Sequence, residues 1–398
     1  MLTSAGSPLN ILTAFVVLII VGLLVTEFSR RLKISNILLL IIAGIFMGYF
    51  FSDYPLFNIS GDAVLTIAIL TLVLVVFDGA SRFKAKSVNT LSFSALKLSG
   101  VFLAFNVVFI TFATVLLFFE FSLVNILYSL IFATVISGTD PASVFIMLSN
   151  KTHRVLEFLK LEGILNTPII VLLPFILLDI KDQFVNQSVF SIEVHLGAIL
   201  TQILVGIGSG IIVGLIFFKG IKKYGGNTAG LMLICSALLS FILAENLGGN
   251  GVLAVAVLGF MFSSFYISKK EVLQSFNEML SNSLEVLVFI LVGFIIELNF
   301  DFMFIAKSLI LFLILILCRF AAVNIALYKK KYSSMELLYI TLNMPKGLAV
   351  AVLIFAFATL DVFQMQIINN LILAILIYSL VLSTVVNKFS EKFINMSL

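Results

Sequence analysis

Apolar runs of about twenty residues recur thirteen times along this chain, and that recurrence leaves little choice of fold. Crossing ~30 Å of hydrocarbon takes about 20 helical residues. The runs lie at approximately 10–29, 35–52, 62–80, 97–118, 123–149, 157–179, 195–218, 227–245, 249–267, 279–298, 303–328, 335–359 and 364–387. Hydrophobic residues make up 61% of the 398 and charged residues 11%, where a soluble domain carries roughly 25% charge. The expected fold is therefore all-α and integral to the membrane, with about thirteen transmembrane helices in a single membrane domain over 1–398 and no soluble regulatory domain.

The basic residues orient those helices. Alternate connections carry Arg30, Arg31 and Lys33; Arg82, Lys84 and Lys86; Lys151, Arg154 and Lys160; Lys219, Lys222 and Lys223; Lys269 and Lys270; Lys329, Lys330 and Lys331; and Lys388 with Lys392. The other connections offer only Lys181, with Lys307 just inside the following helix. Basic loops stay cytoplasmic, so in a cell membrane the N-terminus is expected outside and the C-terminus inside. The first run follows a segment with no basic residue and has no small-residue cleavage site, so it reads as a permanent helix and not a signal peptide. Cys235 and Cys318 lie in apolar runs as small hydrophobes, and two histidines, His153 and His195, are too few for a metal site. With no nucleophile–base pair, metal-ligand cluster or nucleotide loop, the sequence suggests neither an enzyme nor a cofactor nor a nucleic-acid partner. Lipid is the surrounding partner.

Two runs are interrupted in mid-membrane. One contains Ser137-Gly138-Thr139-Asp140-Pro141, the other Asn343-Met344-Pro345-Lys346-Gly347. Each puts glycine, proline and a charge together, acidic in one and basic in the other. Backbone freed within a membrane is tolerated only where protein or a water-filled cavity satisfies it. Paired interruptions at corresponding places point to a transporter built from inverted repeats with its site between them. The breaks are seven helices apart, which gives the two halves, about 10–179 and about 227–387, opposite topology.

An ionisable group at the centre of a membrane helix costs at least ~2.5–3.5 kcal/mol, so each needs a reason. The deep set is Asp140, Glu162, Arg319 and Lys346, with Asp78 nearer a helix end. Glu27, Asp179, Glu245, Glu285 and Glu297 read as lying close enough to helix ends to reach the interface. Glu162 with Lys346 or Arg319 forms either a structural ion pair or part of a site. Glu162 and Asn166, four apart, share a helical face, with Thr167 beside Asn166. Asp140, at a break, is placed to bind a hard monovalent cation or a proton. Competition of the two for one carboxylate is by itself a mechanism of antiport.

The residues around the first break resemble the Thr-Asp-Pro signature of sodium/proton antiporters of the monovalent cation:proton antiporter superfamily, in its NhaP-like branch. Other stretches agree in order: Val75-Val76-Phe77-Asp78-Gly79, Leu161-Glu162-Gly163-Ile164-Leu165-Asn166, Asn250-Gly251-Val252-Leu253-Ala254-Val255, Phe289-Ile290-Leu291-Val292-Gly293, Cys318-Arg319-Phe320 and Pro345-Lys346-Gly347. The resemblance implies a homodimer exchanging Na⁺, K⁺ or Li⁺ for H⁺, with two broken helices crossing near mid-membrane and an elevator-like motion. It implies that Asp140 and the Thr139 backbone contact the ion as a monovalent-cation site with Asn166 and Thr167 in the same ion-binding group, that Glu162 pairs with Lys346 and orients Asn166, and that Asp78 assists through water. Arg319 stands where electrogenic relatives keep a lysine. Arginine does not deprotonate in proteins, so the expected exchange is electroneutral.

One departure bears on all of this. The family has Asn-Asp or Asp-Asp where this chain has Asn166-Thr167. Threonine offers a neutral oxygen to a cation but carries no proton. Asp140, with or without Asp78, takes over the exchange; or the coupling and ion preference differ, as in an uncoupled channel; or transport is lost and a scaffold remains.

Overall fold

The computed structural model describes residues 8–32, 34–51, 61–81, 91–140, 153–185, 192–224, 228–265, 270–295, 301–328, 330, 332–358, 360 and 362–394. The described segments are helical throughout, with only short connections and breaks between them. The helices are α1 (Pro8–Leu32), α2 (Asn36–Phe51), α3 (Gly61–Ser81), α4 (Leu91–Phe105), α5 (Thr111–Phe118), α6 (Leu123–Val135), α7 (Arg154–Val185) and α8 (Ile192–Tyr224). After these come α9 (Ala229–Asn246), α10 (Gly251–Ser264), α11 (Lys270–Ile295), α12 (Phe302–Ala326), α13 (Ser334–Leu342), α14 (Leu348–Ala358), α15 (Phe363–Lys388) and the short α16 (Ser390–Phe393). A π-helical turn, Asn106–Ile110, joins α4 to α5 as one continuous span. Among the described residues nine helices are long and apolar enough to span a membrane, and four shorter apolar helices accompany them.

The two expected interruptions are present. Helix α6 stops at Val135 and the chain runs non-helically to Asp140; Pro141 and the rest of that run lie outside the described residues. Helices α13 and α14 are the two halves of the twelfth run, separated by Asn343–Gly347. By contrast α7 runs unbroken through Pro168 and Pro174. One boundary moves substantially. Helix α11 begins at Lys270, nine residues before the expected start of its run. The added turns are polar, Gln274-Ser275-Phe276-Asn277-Glu278 among them, so hydropathy alone misses them. Glu285, read as lying near a helix end, is therefore mid-helix.

Packing sorts the helices into two bodies. Helices α1–α3 pack with α8–α11, while α4–α7 pack with α12–α15. The bodies meet where α14 lies against α3 and α11, and where α7 lies against α10 and α3. One apolar core runs through both bodies, from Leu72, Phe289 and Ile290 in the first to Phe102, Phe132 and Leu315 in the second, and a smaller one lies within the first around Phe77, Phe218 and Phe262. Outward-facing Leu23 and Leu24 on α1 and Leu313 and Leu317 on α12 are more than half exposed, as lipid-facing side chains should be.

Small residues bring α2 and α11 backbone to backbone. A Cβ on Gly44 would overlap the Ile290 carbonyl oxygen, and one on Gly293 would overlap that of Ile41. Close approach through glycine is the usual route to helix association where lipid removes the hydrophobic drive. Gly44→Ala and Gly293→Ala are expected to lower the melting temperature of the purified protein. Gly208→Ala, where a Cβ meets nothing within 4 Å, should leave it unchanged. Equal behaviour of the three in a detergent melting series would show that this crossing is not tight.

Candidate functional site

The two breaks cross each other. The Asp140 amide donates to the Pro345 carbonyl oxygen at 2.8 Å, tying one extended segment to the other. Each break then places its charge on the other's half-helix. The Lys346 ammonium donates to the Gly138 carbonyl oxygen (2.7 Å), just beyond the C-terminus of α6. The Asp140 carboxylate accepts from the Leu348 amide (3.3 Å), at the N-terminus of α14. A helix carries partial positive charge at its N-terminus and partial negative charge at its C-terminus, so both placements are favourable. Gly347 is required here, because a Cβ would overlap the Asp140 carboxylate.

Side chains meet two more of the freed backbone groups. Asn166 donates to the Ser137 carbonyl oxygen at 3.0 Å, and Ser379 accepts from the Lys346 amide at 3.1 Å. From the π-turn Asn106 donates to the Ser137 hydroxyl at 2.9 Å; such turns appear often at functional sites. Asn343 is braced against α15 through Asn387 and Ser383.

The ion pair differs from the one implied by the resemblance. Glu162 pairs with Arg319 and not with Lys346. Both are fully buried, and the guanidinium binds both carboxylate oxygens, the Nη2 bond measuring 2.6 Å. A planar fork matches a carboxylate where an ammonium is a point charge, which is why arginine takes the bidentate partner. Lys346, also fully buried, is used by the backbone instead. Arg319 and Lys346 both lie over the Phe102 ring, at 5.0 and 5.5 Å from its centroid, and the ring's negative face eases their crowding.

Beside the crossing lies a chamber of about 460 Å³, where the two helical bodies meet. Thr139 and Asp140 line it from the crossing, and Thr167 from α7. Asp78 on α3 and Glu278 and Glu285 on α11 line it from the other body. Asn166 is not among the lining residues; its amide is turned to the Ser137 carbonyl. Thr167 does line the chamber, with its hydroxyl donating to the Gly163 carbonyl oxygen (2.7 Å). Asn277 approaches the Asp78 carboxylate at 3.5 Å. The Thr139 hydroxyl is buried without a hydrogen-bond partner, and so is Glu285 Oε1. Among the described residues no three acids, histidines or cysteines converge as a resident metal would need.

The whole arrangement can be compared with known proteins. Residues 12–393 match the family model described as sodium/hydrogen exchanger, transmembrane. The chain belongs to that family. It is 26% identical over 276 residues to the low-affinity Na⁺/H⁺ antiporter NhaS1 of Synechocystis, covering 66% of this chain and 50% of that protein. It is 27% identical over 247 residues to the K⁺/H⁺ antiporter NhaP2 of Shewanella sp. strain ANA-3, covering 60% and 41%. The chain thus spans about half of these two relatives or less. Na⁺/H⁺ antiporter 1 of Methanocaldococcus jannaschii is 25% identical over 368 residues, covering 84% of this chain and 80% of that one. The solved structure of the sodium proton antiporter MjNhaP1 from the same organism, at pH 8, superposes with a TM-score of 0.79 at 19% identity over 96% of this chain and 98% of the other. That agreement fixes the fold as the antiporter fold of a multi-pass membrane protein.

Sequence reasoning missed Glu285 because the apolar run seemed to begin at residue 279. The signal was present as polar residues at helical spacing, Gln274, Asn277, Ser281 and Glu285. For the ion pair the expected outcome is a ranking. Arg319→Met leaves Glu162 buried without its partner and should cost roughly 3–5 kcal/mol, whereas Lys346→Met leaves that pair intact and should cost less. Thermal melts in detergent decide it, and a larger loss in Lys346→Met would reverse the assignment.

Proposed function

We propose that this chain is a secondary antiporter exchanging a monovalent cation for protons, with Asp140 at the exchange site. The observation that carries this reading is a half-buried carboxylate at the crossing of two interrupted helices, facing a chamber between two helical bodies. The carboxylate binds either a proton or a hard cation, and only the loaded forms reorient. Na⁺ is the first substrate to test, with K⁺ and Li⁺ beside it, since relatives bear the names of both Na⁺/H⁺ and K⁺/H⁺ antiporters. Arg319 is locked to Glu162 and keeps its proton, which supports one-for-one electroneutral exchange.

An elevator-type movement fits the division into bodies, the one bearing the crossing sliding past α3 and α11. Inverted halves, a homodimer, the plasma membrane, an outside N-terminus and a cytoplasmic C-terminus complete the proposal. They rest on the spacing of the breaks, the family resemblance and the basic connections.

The test is dequenching of a ΔpH-sensitive dye in proteoliposomes on adding Na⁺, K⁺ or Li⁺. The native protein should respond to at least one, and Asp140→Asn should abolish the response while folding normally. Cation current without proton movement would replace this reading with an uncoupled pathway. Silence in the native protein with activity in Thr167→Asp would mean a transport-inactive scaffold.

A further inference from the structure

With threonine at 167, the α7 wall of the chamber lacks the acid that the family pattern places there. The opposite wall has one to offer. Glu285 sits midway along α11, lines the same chamber as Asp140 and is only 8% exposed. Its Oε1 accepts no hydrogen bond, and Asp140 lines the same chamber from the other wall. A carboxylate oxygen taken out of water without a hydrogen-bond partner is costly. On the facing wall the Thr139 hydroxyl, 7% exposed, is likewise without a hydrogen-bond partner. Two unmet oxygens and the Asp140 carboxylate around one chamber are what a hard cation would satisfy.

We propose that Glu285 supplies the second carboxylate to the transported cation, in place of a side chain at position 167. The ion is then held between Thr139 and Asp140 on one wall and Glu285 on the other. Glu278, Ser281 and Asn282 line the chamber in the turns of α11 that precede Glu285, so a polar strip leads to it from the Lys270 end. Because the walls belong to different helical bodies, the bound ion spans the seam between them.

This inference rests on the reading of Asp140 as the ion site, and two readouts separate the two ideas. One is the melting temperature of the purified protein against added Na⁺, K⁺ or Li⁺ at constant ionic strength, which reports binding without transport. The other is the KM for the cation in proteoliposomes. The native protein should show a saturable rise in melting temperature. Glu285→Gln should raise the half-saturating concentration and the KM tenfold or more. Glu285→Asp should fall between, and guards against a Gln variant that fails to fold. Adding Thr167→Asp to Glu285→Gln should restore part of the affinity. Half-saturation within twofold of native in both Glu285 variants would overturn the proposal, even if ion-free stability fell. If Asp140→Asn loses the response while the Glu285 variants keep it, only the role of Glu285 fails. If the native protein shows no saturable response to any of the three cations, both fail together.

Discussion

Each interrupted helix in this protein carries the charge that the other one needs. Lys346, from the break between α13 and α14, sits on the exposed carbonyl end of α6. Asp140, from the break after α6, sits on the amide end of α14. Every unsatisfied backbone group in a bilayer costs several kcal/mol, and a helix break creates several at once. Two extended segments cannot simply cross in lipid, and here they arrive with opposite charges, each aimed at the end of opposite sign. Reversing the two charges would set like against like at both ends. Gly347, Asn166, Asn106 and Ser379 are best understood as consequences, each making room for or satisfying what the charges leave.

Asp140 thus faces two ways at once, to the N-terminus of α14 and to the chamber. A proton or cation that neutralises the carboxylate also weakens the anionic partner of that N-terminus. On the proposed reading, loading is therefore felt directly at the crossing. A carboxylate on a continuous helix would bind ions without any such consequence for its surroundings. Neutralising one that caps a half-helix alters the element that positions it, which is the differential interaction any ion-driven shift between two conformations requires.

The architecture was legible from sequence because its main constraints are one-dimensional. Apolar run length gives spanning helices, and Gly-Thr-Asp-Pro and Pro-Lys-Gly mark the breaks without any knowledge of their neighbours. Which cation partners Glu162 was not legible. Arg319 and Lys346 are both deep and basic, and only three-dimensional placement lets the planar guanidinium claim the carboxylate while the flexible ammonium reaches a carbonyl. The orientation of Asn166 was not legible either: four-residue spacing puts it on the face of Glu162 but does not say that its amide turns to the Ser137 carbonyl. Glu285 was hidden by a boundary. A hydropathy window starts a helix where polarity ends, and α11 continues nine residues into polar sequence because its polar stripe faces protein and chamber instead of lipid.

The cancellation of Glu162 by Arg319 then decides the character of the chamber. With that pair neutral and Lys346 committed to the Gly138 carbonyl, the lining left at the seam is Asp78, Asp140, Glu278 and Glu285 against Lys160. Low-dielectric walls focus the field of such a surplus of acid, which favours a cation over an anion in the chamber. Two of the deep positive charges that would oppose this are spent on structure, one on a carboxylate and one on a helix end. The same use of charge explains how a chain with more basic than acidic residues overall presents an acid-rich chamber between its two bodies.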